Sequence, residues 1–186
     1  MLPAPSGARA VVVGGTAWHV VAADVDPGWV ADAVGHDPLA APLGARFLAA
    51  LGDRIGVEPG VVDTVLVAPP GGPAPAVPLR ELPAAATEHP RVQRALAHRR
   101  EVRVWTTPDG GGLLAVGRGV GDRWEVSVEV DPGARGRGLG AALVAAAPAL
   151  VTEPLWAQVA PANTASLRAF LAAGYRPVCA EVLFGP

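Results

Sequence analysis

The chain is poor in several residue types, and each shortage excludes a class of protein. Its 186 residues include one cysteine, Cys179, so no internal disulfide can form and a reducing compartment is expected. No apolar run reaches the length of a membrane span, and the N-terminus lacks the charged start and apolar core of a secretory signal. These absences predict a cytoplasmic protein with no membrane partner.

Lysine is absent as well, and all 15 basic residues are arginines. The formal net charge is −2 and no basic stripe with interleaved aromatic residues occurs, so nucleic acid is not expected as a partner. The four histidines lack the spacing of metal ligands, which predicts no metal site. Hydrophobic residues make up 51% of the chain, enough to bury a core.

The first part of the chain has the pattern of a small α/β region that ends in a proline-rich connector. Hydrophobic spacing and turn residues predict two strands, a helix capped by Asp37 and a third strand, at residues 10–13, 17–22, 38–55 and 61–67. Five prolines and two glycines between residues 69 and 78 exclude a helix or a central strand. We therefore predict an N-terminal addition over residues 1–78 and a second domain over 79–186.

The second part, residues 79–186, has a more regular pattern. It predicts a helix, then three antiparallel strands joined by tight turns, at residues 90–100, 101–106, 113–119 and 123–130. After a glycine-rich loop it predicts a helix, a strand, a second helix and a last strand, at residues 139–147, 155–160, 163–173 and 176–184.

The loop after the third of those antiparallel strands is the clearest functional signal. Gly136, Gly138 and Gly140 let the backbone approach a ligand closely, because no Cβ stands in the way. The helix that follows presents unpaired amides and the positive end of its dipole to the loop. Arg135 and Arg137 add two cations. The combination predicts a cradle for phosphate or pyrophosphate.

The same loop resembles a known motif. Arg135-x-x-Gly138-x-Gly140 is similar to the acyl-CoA loop of the GCN5-related N-acetyltransferases, the GNAT superfamily. In that family the preceding strand often ends in Val-Asp-Pro, and here it ends in Val130-Asp131-Pro132.

A second motif supports the resemblance independently. Asn163 follows the strand after the loop helix, a helix comes next, and then Gly174-Tyr175, which is the order and spacing of the family. Local chemistry is consistent with this, since Asn is a good helix N-cap and Gly a good helix stop. The resemblance covers roughly Glu101 to Phe184.

The resemblance implies an α/β fold with a GNAT-type mixed, mostly antiparallel sheet flanked by helices. The N-terminal α/β addition then precedes the acetyltransferase core. The first core strand is either residues 61–68 or part of the early hairpin, and we prefer the former because it leaves one helical region before the meander.

The resemblance also implies acetyl-CoA as acyl donor. In the family the strand before the loop splays from the next strand, and the pantetheine arm of CoA pairs with the backbone in that gap. The residues implied to bind it are Val128, Val130, Arg135, Gly136, Arg137, Gly138, Leu139, Gly140, Ala141, Asn163 and Phe170.

Two other interpretations of the loop are weaker. A tight strand-to-helix turn with arginines facing water does not require Asn163 and Gly174 at the family's spacing. A dinucleotide fingerprint, Gly136-x-Gly138-x-x-Ala141, requires parallel βαβ units and an acidic residue after the next strand, where this chain has Val159-Ala160-Pro161.

The positions that usually carry the chemistry are not matched. Where many members have a glutamate that acts as general base through water, this chain has Gln158, and where many have a tyrosine as general acid, it has Phe170. Glu125 and Glu129 lie on one face of their strand and are the candidate substitutes, with Glu129 preferred.

The expected activity is transfer of an acetyl group to a primary amine, either a small molecule or a peptide N-terminus, by a monomer or homodimer. The acidic residues around the last meander strand favour a cationic acceptor. The alternative is an acyl-CoA-binding or sensing module that has lost the transfer chemistry.

Overall fold

The computed structural model describes residues 1–72 and 74–185, and within them the chain is α/β with mostly antiparallel strands, as expected. The described strands are β1 (Ala10–Gly15), β2 (Trp18–Ala23), β3 (Asp63–Ala68), β4 (Arg80–Leu82), β5 (Arg100–Thr106), β6 (Gly112–Arg118), β7 (Trp124–Val130), β8 (Leu155–Val159) and β9 (Arg176–Phe184). The described α-helices are α1 (Pro27–Val34), α2 (Ala45–Ile55), α3 (Pro90–His98), α4 (Leu139–Ala146) and α5 (Thr164–Ala172). None of these helices has both the length and the apolar composition that a bilayer crossing requires.

The chain divides into two compact units. One comprises Met1–Val65 with residues 178–185, and the other comprises Leu66–Pro177. The first unit pairs β1 antiparallel with β2 and with β9. Its core is formed by one face of this sheet and by α2, whose apolar positions recur at helical spacing.

The start of the helix predicted over residues 38–55 is wrong, since α2 begins at Ala45. Asp37 does accept a backbone hydrogen bond, from Ala40 at 3.0 Å, but it closes a turn rather than capping a helix. The sequence prediction also missed α1. There Asp26 caps the helix by accepting from the Trp29 amide at 2.8 Å, and Pro27 occupies the first turn.

The second unit is built on the antiparallel meander β5–β6–β7, which confirms the predicted order of strands. The prediction missed β4, which pairs antiparallel with β5 over three residues. Leu143 of α4 and Phe170 of α5 lie in the core of this unit with Leu114 of β6 and Val126 of β7. These contacts fix α4, which follows the glycine loop, and α5, which follows Asn163.

The two faces of β7 differ as the alternation predicted. Trp124, Val126, Val128 and Val130 share the face that packs on the core of the second unit. Glu125, Ser127 and Glu129 share the opposite face with Leu113 and Ala115 of β6, their neighbours in the register. Helix α3 packs on this opposite face, where its Val92 is completely buried against the strands.

Candidate functional site

Strand β7 pairs with β8 at one end and not at the other. The described parallel register has two residue pairs, Trp124 with Leu155 and Glu125 with Trp156. Strand β7 continues to Val130 and β8 to Val159 with no further pair between them in the described register. The two strands therefore separate in the direction of the glycine loop, as the resemblance implied for a pantetheine-binding gap.

The backbone of β7 alternates between its two neighbours. The Asp131 amide donates to Gly111 at 3.0 Å, on the β6 side, and antiparallel pairing makes every second residue of β7 face β6. By that alternation the amides and carbonyls of Val128 and Val130 face away from β6, toward the gap. These are the two residues whose backbone was expected to hold the donor.

The loop between β7 and α4 is open at its glycines. Gly136 and Gly138 have φ angles of 76° and 80°, in the left-handed region that favours glycine. A Cβ built at either position would meet no atom within 4 Å, so the space above them is available to a ligand. Arg137 beside them is exposed. The loop therefore offers open backbone beside an exposed cation, which suits an anion.

The first turn of α4 faces the same loop. Gly138 is the N-cap residue and has no side chain with which to satisfy the amides of Leu139, Gly140 and Ala141. A Cβ built on Gly140 would lie 3.5 Å from Val130 of β7, which places the helix start beside the end of the strand. These amides and the helix dipole favour an anion at this place.

Arg135 lies between the loop and the gap. Its Nε donates to the Val130 carbonyl at 3.0 Å, so the side chain turns back toward the strand that precedes it. The residue is exposed, and its terminal guanidinium nitrogens carry further donors. Arg135 can therefore bridge the backbone of β7 and an anion in the loop.

Asn163 and Phe170 occupy different environments. Asn163 caps α5, with its Oδ1 accepting from the Ser166 amide at 3.2 Å, and its side-chain amide group can still donate. Phe170 is 5% exposed and packs edge-to-face on Tyr175, with ring centroids 4.9 Å apart. Burial raises the pKa of the Tyr175 phenol well above its usual value, so this tyrosine holds its proton.

On the opposite face of β7, Glu125 is enclosed by donors. Its carboxylate accepts from Nε of Arg99 at 3.1 Å and Nε of Arg123 at 3.0 Å. The Val120 amide donates to it at 3.3 Å and the Gln158 amide at 3.4 Å. With a side chain 5% exposed, Glu125 has little surface from which to reach a substrate, which does not favour it as the base.

Arg99 joins this buried carboxylate to the next polar residue of the face. Its Nη1 donates to the Ser127 hydroxyl at 2.9 Å and to the Glu125 carbonyl at 3.4 Å. Burial lowers the pKa of the Arg99 guanidinium, and the neighbouring Glu125 carboxylate acts in the opposite direction. The result is an ion pair inside the fold, held on a strand and on the residue that follows α3.

Glu129 lies farther along the same face and is more accessible. Its Oε2 accepts from Nε of Arg91 at 2.6 Å, and its Oε1 lies 3.9 Å from Nε2 of His89. The Arg91 hydrogen bond holds the pKa of Glu129 below the ordinary carboxyl value. A carboxylate with a lowered pKa is a weaker proton acceptor than an unpaired one.

The carboxylates of this face are paired with arginines. Three guanidinium groups, those of Arg91, Arg99 and Arg123, surround the two carboxylates of β7, and these five groups together leave one net positive charge. The sequence prediction counted the acidic residues around β7 and missed these arginines, because two of them are 26 and 38 residues away along the chain. The cationic acceptor stays a prediction.

Comparison with solved structures gives matches of low identity. A GCN5-related N-acetyltransferase from Kribbella flavida is 18% identical, with a TM-score of 0.46, covering 75% of this chain and 63% of that protein. One from Sphaerobacter thermophilus is 19% identical, with a TM-score of 0.45, covering 79% and 58%. A tandem GNAT protein of clavulanic acid biosynthesis is 14% identical, with a TM-score of 0.45, covering 74% and 57%.

The chain thus spans less than two thirds of the length of these structures. No curated protein matches it. The family comparison is decisive instead, since the model of the GNAT acetyltransferase family matches residues 77–175, which is more than half of the chain. The matched region contains the meander, the glycine loop, the strand gap and Asn163. The chain belongs to the GNAT acetyltransferase family.

Proposed function

We propose that the protein is an acyl-CoA-dependent N-acetyltransferase that moves the acetyl group of acetyl-CoA to a primary amine. The observation that carries the proposal is the separation of β7 from β8 toward an open glycine loop at the start of α4. The acetyltransferase core extends over residues 79–186 in this proposal, and residues 1–78 are an addition to it.

The donor side supports the proposal by its fit to a long anionic thioester. The loop residues Arg135 to Ala141 bind the pyrophosphate through backbone amides and two guanidinium groups. Val128 and Val130 offer backbone donors and acceptors to the pantetheine amides. Asn163 contacts the same arm from the end of β8. Phe170 supports this wall of the site through the core.

The acceptor side lies on the opposite face of β7. When bound, acetyl-CoA supplies a thioester carbonyl that a neutral amine nitrogen attacks, forming the amide bond and releasing the thiol after one proton moves from nitrogen to sulfur. Glu129 is the proposed proton acceptor because it is the more accessible carboxylate of this face. Glu125 orients Arg99 and Gln158 beneath it.

The experiment is a thermal shift with acetyl-CoA, followed by an assay of thiol release with a panel of amines. A ligand that binds only the folded state increases the free energy of unfolding, by about 2.7 kcal/mol when its concentration is 100 times its Kd. The Tm rises as a result. Gly140→Glu places a carboxylate beside the pyrophosphate position and removes the shift.

Gly140→Ala is the matched control. Unlike Gly136 and Gly138, which face open space, Gly140 has Val130 within 3.5 Å of the added Cβ, so alanine makes an ordinary contact there and adds no charge. It keeps the shift. Wild-type protein with no shift at millimolar acetyl-CoA would contradict the proposal, and so would an equal shift in wild type and Gly140→Glu.

One observation favours a second function. The positions where the family usually carries its base and acid hold Gln158 and Phe170, and the candidate substitute Glu129 is paired. Gln158 donates to Glu125, Phe170 is buried, and Glu129 is paired with Arg91. A non-catalytic acyl-CoA-binding or sensing module has this arrangement. Tight acetyl-CoA binding with no thiol release for any amine would favour the module over the transferase.

A further inference from the structure

We infer that the acceptor carries an anionic group, a carboxylate or a phosphate, next to its reacting amine, and that Arg91 binds that group. The inference rests on the proposed function and names the class of acceptor. It differs from the cationic acceptor predicted from the acidic residues around the last meander strand, and the experiment below decides between the two.

Arg91 is a partly exposed guanidinium that is fixed through one of its nitrogens. It lies in the first turn of α3, on the edge of the polar face of β7, and its side chain is 39% exposed. Its Nε is fixed on Glu129 at 2.6 Å. A guanidinium has five N–H donors in a rigid fork, so a hydrogen bond through Nε leaves donors on the terminal nitrogens of this partly exposed side chain for a second anion. Glu129 thus orients Arg91 as much as Arg91 holds Glu129.

Other arginines surround Arg91 and the carboxylates of this face. The two carboxylates of the face are each bound by arginine, and Arg99 and Arg123 lie beneath with side chains 12% and 16% exposed. Arg135 also acts electrostatically on Glu129 from the side of the loop. An acceptor that arrives here meets the partly exposed guanidinium of Arg91 and the exposed guanidinium of Arg135, which attract an anion and repel an ammonium group.

Positive charge at this place also favours the reactive, neutral form of an amine. An amine attacks only when it has lost its proton, and the usual glutamate base is replaced by Gln158. Nearby positive charge disfavours the ammonium form and so lowers the pKa of a bound amine. An anionic group anchored on Arg91 would hold the amine in that field, which reduces the demand on Glu129 as a base. The arginines of this face then serve both recognition and activation.

The experiment compares matched acceptors that differ only in the anionic group. β-Alanine is paired with β-alaninamide, phosphoethanolamine with ethanolamine, and ethylenediamine serves as the cationic probe. We expect one anionic member to have a kcat/KM at least about tenfold above its neutral partner, the size of a charged hydrogen bond. The two pairs distinguish a carboxylate from a phosphate.

Three variants test the role of Arg91. Arg91→Gln raises KM for the anionic acceptor about tenfold or more and changes KM for the neutral one little. It also moves the rising limb of the kcat–pH profile to higher pH, because the bound ammonium group loses a repelling charge. The double variant Arg91→Gln with Glu129→Gln leaves the net charge of the face unchanged and still loses the preference. Arg80→Gln, at an exposed position of β4, keeps the preference.

The outcomes separate the inference from the proposed function. Transfer with equal or better use of neutral or cationic acceptors would overturn the inference while leaving the transferase intact, as would an anion preference that survives in Arg91→Gln. If no amine is acetylated, the proposed function fails, and the anion site is then decided by calorimetric titration with phosphoethanolamine and β-alanine. A Kd for either compound that rises about tenfold in Arg91→Gln supports the site, and no binding of either overturns it.

Discussion

The two sides of β7 differ in how they are built. On the donor side the backbone faces an open gap, two glycines have left-handed φ angles, and the amides that start α4 lack a capping side chain. On the acceptor side each carboxylate is bound by arginine, and Glu125 accepts four hydrogen bonds. The proposed donor side therefore presents main-chain groups, whereas the proposed acceptor side presents paired side-chain charges.

The largest effect in this comparison is expected from opening the buried ion pair. Arg99→Met leaves Glu125 inside the fold with Arg123 as its remaining guanidinium, and breaking a buried pair costs about 3–5 kcal/mol. Urea denaturation should show this loss. Arg100→Met, which removes an exposed pair with Asp122, is the control and costs about 0–1 kcal/mol. Equal losses in the two variants would contradict the distinction between buried and exposed pairs.

The next largest effect concerns the position where family members often carry their base. Gln158→Glu would replace an amide donor to Glu125 with a second carboxylate. We expect destabilisation of about 1–3 kcal/mol and no gain in turnover, because two neighbouring carboxyl groups cannot both ionise there without a cost in free energy. Gln158→Met, which removes the donor without adding charge, separates the two contributions. A faster enzyme with unchanged stability would show that this site accepts the usual base.

A smaller effect, confined to the chemical step, is expected at Glu129. Glu129→Gln should lower kcat at least about tenfold while acetyl-CoA affinity is kept, since the proposed donor site lies on the other side of β7. Steady-state kinetics and calorimetric titration measure the two quantities separately. Unchanged turnover would remove Glu129 as the proton acceptor, and a parallel loss of acetyl-CoA binding would show that the two sides of the strand are not independent.

The smallest effect is the pH dependence of the Arg91–Glu129 pair. Because the folded-state pKa of Glu129 lies below its ordinary value of 4.5, the pair stabilises the fold above that pH and loses its contribution as pH falls through the folded pKa. The pair is partly exposed, so the contribution is about 0–1 kcal/mol. The stability difference between wild type and Glu129→Gln should therefore be constant near neutral pH and disappear in acid. A stability difference that grows as the pH falls would contradict this prediction.

The donor side could be predicted from the sequence because its determinants are local. Gly138, Gly140 and Arg135 lie within a few residues of each other, and a strand before them with a helix after them fixes their arrangement. Backbone alternation then assigns Val128 and Val130 to the gap. Roles for these residues remain predictions, but their placement needed no information from distant parts of the chain.

The acceptor side could not be predicted in the same way. The partners of Glu125 and Glu129 come from α3, from the residue after it and from the turn before β7, and only tertiary packing brings Arg91 and Arg99 to these carboxylates. The alternation of apolar and polar residues placed Glu125 and Glu129 on the correct face of β7. It did not indicate which side chains cover that face. The missed start of α2 has a similar cause, since Asp37 satisfied a local capping rule in a turn that does not continue as a helix.

The short pairing between β7 and β8 also determines how fast individual amide hydrogens of β7 exchange with solvent. Ser127 and Glu129 face β6 and are protected by its carbonyls, whereas the amides of Val128 and Val130 face the gap. Deuterium uptake should therefore alternate from residue to residue along one strand in the absence of a donor. A ligand in the gap that accepts from these amides would remove the alternation, which makes two backbone positions a direct reporter of donor binding.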